Sequence, residues 1–502
     1  MGDRPMIADT ENIADSIAHH ARARGLHPAI VHGDATVSYA EFNRRVSCMA
    51  AWLLDRGLQS GDAVGVALRD GIDHLAALFA IPRAGLVLLP LDWRWTAIEQ
   101  QRVATHFGAR LVLAEPGGPR LEGCDCVTLD DACREAIGRA NPERPFHRGG
   151  GPLLMSLSSG TTGRPKGPRI THRQFMRRFL VYAINLGVHA DDVYLSATPL
   201  YFGASRTFAM AILYFGGTVR MFPPPHTPEA LSAEVARTGT TAVFLVPTML
   251  RRLLSLPDAA LTPWREVRRL VSIGAAMFPG ERQEILRRLT PGFIDYYGST
   301  EGGGTTYLTR HDPHRYSTSV GRPVFSIDLQ CVDAAHQPVP PGTVGRIRVR
   351  GEVVATEFWN DPEASREAFH DGWYYPGDLG TLDADGYLYL KGRSKDMIIR
   401  GGINIFPAEV EEVLQAHPAV VDSAVVGWPS REFNEEVAAF VMLRAEVQAS
   451  AAELREHCRA TLAPYKVPRE IFVVDEFPRN TLGKAIKTEL AARLPALATQ
   501  SS

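Results

Sequence analysis

Along the first part of the chain, apolar positions switch between a helical period of about 3.6 and short continuous runs. Ser38-Tyr-Ala-Glu41 reads as a capping box that opens an amphipathic helix running to Leu54, with Gly57 placed to end it. An extended stretch at 63–68, a helical one at 73–80, an apolar run at 86–91, a helix at 97–107 and a strand at 109–114 follow. Strand and helix in alternation predict an α/β sheet. The alternation resumes after Gly149-Gly-Gly151, with strands expected at 153–157, 218–222, 242–246 and 270–273. From about Val324 the texture changes to short β runs separated by turn residues, such as 345–350 and 386–390. A last section begins after Gly392-Arg-Ser-Lys-Asp396, with helices at 408–416 and 451–462 and strands at 423–426, 438–443 and 470–474. That order predicts a small, independent α+β domain. No internal repeat interrupts the pattern.

Length and charge narrow the picture. The chain has 502 residues, more than one hydrophobic core's worth. Its 54 Lys and Arg nearly balance 56 Asp and Glu, which speaks against nucleic acid as a partner. The most apolar stretch, 75–91, is broken by Pro82, Arg83 and Gly85, so no membrane span is expected. The opening residues lack an apolar signal segment, and the six cysteines are too scattered for a disulfide framework. A cytoplasmic location is the expectation. Cys124, Cys126 and Cys133 lack the paired spacing and the neighbouring His of a zinc site, so a structural role is expected for them.

The strand at 153–157 runs into Ser158-Ser-Gly-Thr-Thr-Gly-Arg-Pro-Lys-Gly167. Glycines let backbone N–H groups turn toward an anion, while the hydroxyls and Lys166 add donors. A Walker A loop does not fit, because Gly167 follows the lysine. This loop resembles the phosphate-binding loop of the acyl-adenylate-forming superfamily, which includes acyl-CoA ligases, firefly luciferase and the adenylation domains of peptide synthetases. Four further motifs agree in order and spacing: Tyr297-Gly-Ser-Thr-Glu301, Trp373-Tyr-Tyr-Pro-Gly-Asp-Leu-Gly380, the run from Gly392 to Glu411, and Pro478-Arg-Asn-Thr-Leu-Gly-Lys-Ala-Ile486.

The resemblance implies a large N-terminal α/β domain with a β-barrel-like subdomain (1–392), a hinge (393–396) and a small mobile C-terminal α+β domain (397–502). It implies two half-reactions: a carboxylate attacks ATP to give acyl-AMP and pyrophosphate, then CoA takes the acyl group and AMP leaves. The first half joins two anions, which calls for placed cations and Mg²⁺. Carried over residue by residue, Ser158, Ser159, Gly160, Thr161, Thr162, Gly163 and Lys166 would hold phosphates, with Thr300 beside them and Glu301 on the metal. Gly274, Ala275, Ala276, Tyr297, Gly298 and Ser299 would receive the nucleotide, Tyr297 by stacking on adenine. Asp378 would accept both ribose hydroxyls and Arg393 would reach ribose and phosphate. Lys484 resembles the lysine of the adenylation step, although Leu482 replaces the usual Ser or Thr. Lys395 corresponds to the hinge residue, and Gly401 and Gly402 to the tunnel that admits pantetheine.

The acid is read from residues 199–208 and the segment after Tyr297. No acidic residue occurs from Ala197 to Phe222, so an α-amino acid would leave its ammonium unpaired. Gly298 stands where acetate-specific relatives carry Trp, which points to an acid longer than propionate. Phe202 stands where many relatives carry His. Phe202, Ala204, Phe208, Gly302, Gly303 and Gly304 are the candidate walls, small or apolar, and suit a medium-chain fatty or aromatic acid. Arg206 is expected to face solvent; a pocket-facing Arg206 would instead suit a dicarboxylic acid. A carrier-protein phosphopantetheine is the alternative acceptor to CoA, and a nucleotide-binding scaffold without catalysis is the non-enzymatic alternative. A carrier protein and a second copy of the chain are the macromolecular partners left open.

Overall fold

The structure is a computed structural model, and it describes residues 12–146, 150–157, 166–274, 277, 279–401, 403–430, 432–444, 447–479 and 485–498. Among these, nine strands form one sheet in the order Arg322–Pro323, Gly303–Thr309, Phe293–Ser299, Arg269–Ser272, Ala242–Leu245, Val193–Ser196, Thr218–Met221, Pro28–His32 and Ala35–Ser38. The run from Phe293–Ser299 to Pro28–His32 is parallel throughout. A second sheet orders Asp125–Thr128, Ala109–Ala114, Ala63–Ala67, Val87–Pro90, Pro152–Met155 and Arg169–Thr171, parallel except at its last strand. Central strands such as Ala63–Ala67, Val87–Pro90 and Ala242–Leu245 are continuous apolar runs buried on both faces. One core that includes Ile30, Phe42, Phe79, Leu88, Phe175 and Phe208 joins the two sheets. Parallel sheets leave their ligand-binding crevice beyond the carboxyl ends of the strands. Here Met155, Ser196, Ser272 and Ser299 end strands at that edge.

The short β runs form an antiparallel sheet of Asp328–Val332, Gly345–Arg350, Phe369–His370, Trp373–Tyr374, Asp378–Leu382 and Leu388–Arg393. The small domain follows. Ile398–Arg400, Ile403–Ile405, Val420–Ser430 and Asn434–Leu443 pair antiparallel, and Glu470–Val473 adds in parallel. Alternate residues of these strands feed opposite faces. Val437, Ala439 and Val441 meet the helices Pro407–Gln415 and Ala451–Thr461 through Val410, Leu414, Leu454 and Cys458. Ala438 and Phe440 meet the helix Lys487–Ala498 through Leu490 and Leu494. Both cores are built from residues of the small domain alone.

Some local expectations shift. The helix after Ser38 is Tyr39–Asp55, and Ser38 caps it by accepting the Glu41 N–H at 3.3 Å. The box stays half closed, because the Glu41 carboxylate turns to Arg44 and Arg45. A reciprocal box closes instead at Thr96 and Glu99, opening Ala97–Phe107. None of the six cysteines is paired, and the described residues hold no cluster of three or more metal-ligating groups. No described helix is long and apolar enough to cross a membrane.

Candidate active site

A cavity of about 930 Å³ opens where the strand ends of both parallel sheets meet the antiparallel sheet. Lys166, Gly274, Gly298, Ser299, Thr300, Glu301, Asp378, Arg393 and Lys395 all line it, though they are drawn from five separate segments of the chain. Gly274 takes φ +105°, a conformation open to glycine, at the end of Arg269–Ser272.

The hairpin of Phe293–Ser299 and Gly303–Thr309 presents Thr300 and Glu301 at its turn. A bulge between Tyr297 and Gly298 sharpens it. A Cβ on Gly298 would lie 2.2 Å from the Gly303 carbonyl oxygen, so the hairpin itself demands glycine there. Arg178 fixes the turn from below. It donates to the carbonyls of Thr300 at 3.1 Å, Glu301 at 2.9 Å and Val353 at 2.9 Å. Glu301 is 7% exposed, and its Oε2 accepts from the Tyr374 hydroxyl at 3.1 Å. Burial, with the Glu301 carboxylate beside it, holds that phenol well above its ordinary pKa, so it remains a donor.

Asp378 begins the strand Asp378–Leu382 and is held at both oxygens. The Tyr297 hydroxyl donates to Oδ2 at 2.6 Å and Arg393 Nε to Oδ1 at 2.7 Å. Arg393 also donates to the Pro376 carbonyl at 3.1 Å. Lys395 lies on a single turn, Ser394–Asp396, directly after this pair, and partial burial lowers its pKa. Tyr297 reaches the site through its hydroxyl and is not among the cavity's lining residues.

Of the six residues expected as acid-pocket walls, Phe202, Ala204, Gly303 and Gly304 line the cavity. Phe208 and Gly302 do not. Phe208 is buried behind the wall, stacked on Tyr182 at 4.3 Å and Phe244 at 5.5 Å, and Gly302 spends its N–H on Ser299 Oγ at 2.9 Å. Arg206 corrects the expectation of a solvated side chain, since only 1% of it is exposed. It donates to the Leu200 and Tyr201 carbonyls and, at 2.9 Å, to Ser156 Oγ, tying the segment before the helix Gly203–Phe215 to the end of the strand Pro152–Met155. Burial lowers its pKa to about 9. Gly401 sits at the exposed turn between Ile398–Arg400 and Ile403–Ile405, at φ +56° and away from the cavity. Ser158, Ser159, Gly160, Thr161, Thr162, Gly163, Ala275, Ala276, Gly402 and Lys484 lie outside the described residues. Arg178, Tyr182, Tyr296 and Tyr374, unnoticed in the sequence, also line the cavity. The one available signal was an arginine on the apolar stripe of Phe175, Phe179 and Tyr182.

Residues 17–359 match the family model of the AMP-binding enzyme, and residues 409–484 that of the AMP-binding enzyme C-terminal domain. A feruloyl-CoA synthase of Amycolatopsis sp is 33% identical over 476 residues, covering 93% of this chain and 95% of its own. A sulfoacetate–CoA ligase of Cupriavidus necator is 33% identical over 455 residues, covering 86% and 88%. The structure of o-succinylbenzoate CoA synthetase from Bacillus subtilis, in complex with its acyl-adenylate intermediate, matches with a TM-score of 0.85 at 27% identity, over 95% of this chain and 97% of that one.

Proposed function

The chain belongs to the AMP-binding enzyme family, and from that premise we propose that its cavity activates a medium-chain fatty or aromatic carboxylic acid. The enzyme is an ATP-dependent acid–thiol ligase. The carboxylate attacks the α-phosphorus of ATP and pyrophosphate leaves; the CoA sulfur then attacks the acyl carbon and AMP leaves. The observation that carries the reading is the convergence of Thr300, Glu301, Asp378 and Arg393 on one cavity that also holds apolar Val181, Phe202 and Ala204.

Each role follows from local chemistry. Both Asp378 oxygens already accept one donor, and each keeps a lone pair for a ribose hydroxyl. Arg178 immobilises the Thr300–Glu301 turn, so the hydroxyl and carboxylate are aimed before the phosphates arrive. Lys166 and the loop before it would carry the outer phosphates. Glu301 suits Mg²⁺, since one carboxylate beside a polyphosphate is the donor set that ion takes, and when bound it would neutralise phosphate charge. Lys484 would bridge the acid carboxylate and the α-phosphate. Lys395 would be the pivot for the small domain, and Gly401 and Gly402 would give pantetheine room. Dependence on ATP and CoA, with unpaired thiols, supports a cytoplasmic setting.

An acid panel in a pyrophosphate-release assay, with and without CoA, followed by mass detection of acyl-AMP and thioester, tests the proposal. Adenylate with any aromatic or medium-chain acid, converted to thioester by CoA, is the expected result. Adenylate that no CoA consumes but a phosphopantetheine carrier protein does would move the acceptor to the carrier. Silence with every acid would end the ligase reading.

A further inference from the structure

Lys166 belongs to the phosphate-loop motif at 158–167, and its ammonium stands 5.7 Å from the centroid of the Phe358 ring. Both side chains line the cavity. A cation within about 6 Å of an aromatic face is attracted by the ring's negative quadrupole. The ring holds an ammonium without supplying a countercharge, so the lysine keeps its charge and its N–H donors for an incoming anion. A carboxylate in the same place would compete with phosphate for both.

The ring is firmly placed. The Phe358 N–H donates to Ser365 Oγ at 2.8 Å, and the side chain, in a residue 7% exposed, meets Phe369 edge-on at 5.2 Å. Its chain neighbours clasp the residues that follow Lys166. The Trp359 N–H donates to the Gly167 carbonyl at 2.8 Å, the Arg169 N–H donates to the Glu357 carbonyl at 3.0 Å, and Pro168 bridges Phe358 antiparallel. Gly167 is also hemmed in by Phe107, whose ring would lie 2.9 Å from an added Cβ. The same segment reaches the Thr300–Glu301 turn. The Ala355 N–H donates to the Glu301 carbonyl at 2.9 Å, and the Val353 carbonyl accepts from Arg178, which holds that turn. Residues 353–359 therefore set Lys166 and Glu301 in one frame, and Phe358 is the member whose ring lies beneath the lysine.

We propose that Phe358 is a positioning residue for ATP, its ring steering the Lys166 ammonium toward the outer phosphates through a cation–π contact. The assignment rests on the ligase reading above and adds a neutral side chain to the parts that handle the polyphosphate.

Calorimetric titration with ATP in the presence of Mg²⁺, and separately with AMP, tests it, because AMP lacks the outer phosphates that Lys166 would meet. Phe358→Leu keeps an apolar side chain and removes the aromatic face. It is expected to weaken ATP binding about fivefold and to leave AMP within about twofold of wild type. Replacing Phe358 by para-fluoro and then by trifluoro phenylalanine keeps the ring and withdraws electron density from its face, so the loss for ATP should grow with fluorination while thermal unfolding stays close to wild type. In a Lys166→Gln background, Phe358→Leu should cost ATP nothing further. Equal losses for ATP and AMP, no loss for ATP, or the same loss in the Lys166→Gln background overturns the assignment. The binding measurement needs no acid. Pyrophosphate release with no acid at all would therefore overturn the ligase reading while the ATP-specific loss still upholds Phe358, and a wild-type protein that binds neither nucleotide would overturn both.

Discussion

Gly304 has no room for even a methyl group, because an added Cβ would meet Tyr296 Oη at 1.4 Å and Cζ at 2.0 Å. The ring is packed against Tyr182 and cannot swing away freely. Gly304→Ala is therefore expected to destabilise the protein by about 1 to 3 kcal/mol, the usual range for overpacking. Adding Tyr296→Ala should recover part of the loss, which thermal unfolding of the single and double variants measures. A Gly304→Ala protein melting with wild type would mean that the hairpin relaxes easily. Reading the run Gly302-Gly303-Gly304 as pocket wall from sequence was two-thirds legible, since Gly302 turns its N–H to Ser299 instead. Arg178 and Arg206 were not legible as buried groups. Their partners are mostly backbone carbonyls, which carry no residue-type signal, and Val353 and Glu301 lie more than a hundred residues from Arg178.

At the scale of elements, hydrophobic periodicity located the helices Ala97–Phe107 and Ala451–Thr461 and the strands Ala109–Ala114 and Gly345–Arg350 to within a residue. It fell short where a strand outruns its apolar centre. Val420–Ser430 and Asn434–Leu443 continue into polar residues because their paired backbones, rather than side-chain burial, carry the ladder. The turn Ser394–Asp396 is the short element with the largest consequence. It joins Leu388–Arg393, which ends on the Asp378 pair, to a small domain whose core starts at Ile398. Lys395 is its second residue, and a proline there would fix φ near −65°. Lys395→Pro should keep the arrangement seen here and bar only a changed φ. Single-turnover measurements should then show acyl-adenylate forming at close to the wild-type rate and thioester formation slowed about tenfold or more. Equal slowing of both steps would remove the pivot from this residue.

Across the whole molecule, a net charge of −2 gives polyanionic ATP and CoA no overall attraction to the chain. Cations line the cavity instead, Lys166, Arg178, Arg393 and Lys395 among them, and Arg206 is buried close by. Lys484 falls in the chain between Arg479, which pairs with Asp422, and the helix Lys487–Ala498, which packs on the small domain's own sheet. A lysine carried by a domain with separate cores can serve one half-reaction and be withdrawn for the next. Lys484→Ala should thus lower acyl-adenylate formation about a hundredfold or more, the scale of losing one charge-stabilising donor. Thioester formation from supplied acyl-adenylate should stay close to wild type, because by then the phosphoryl transfer that needs the cation is over. Rapid-quench analysis of the two half-reactions separates these outcomes. A comparable loss in both would mean that Lys484 holds the small domain in place rather than meeting the reacting phosphate.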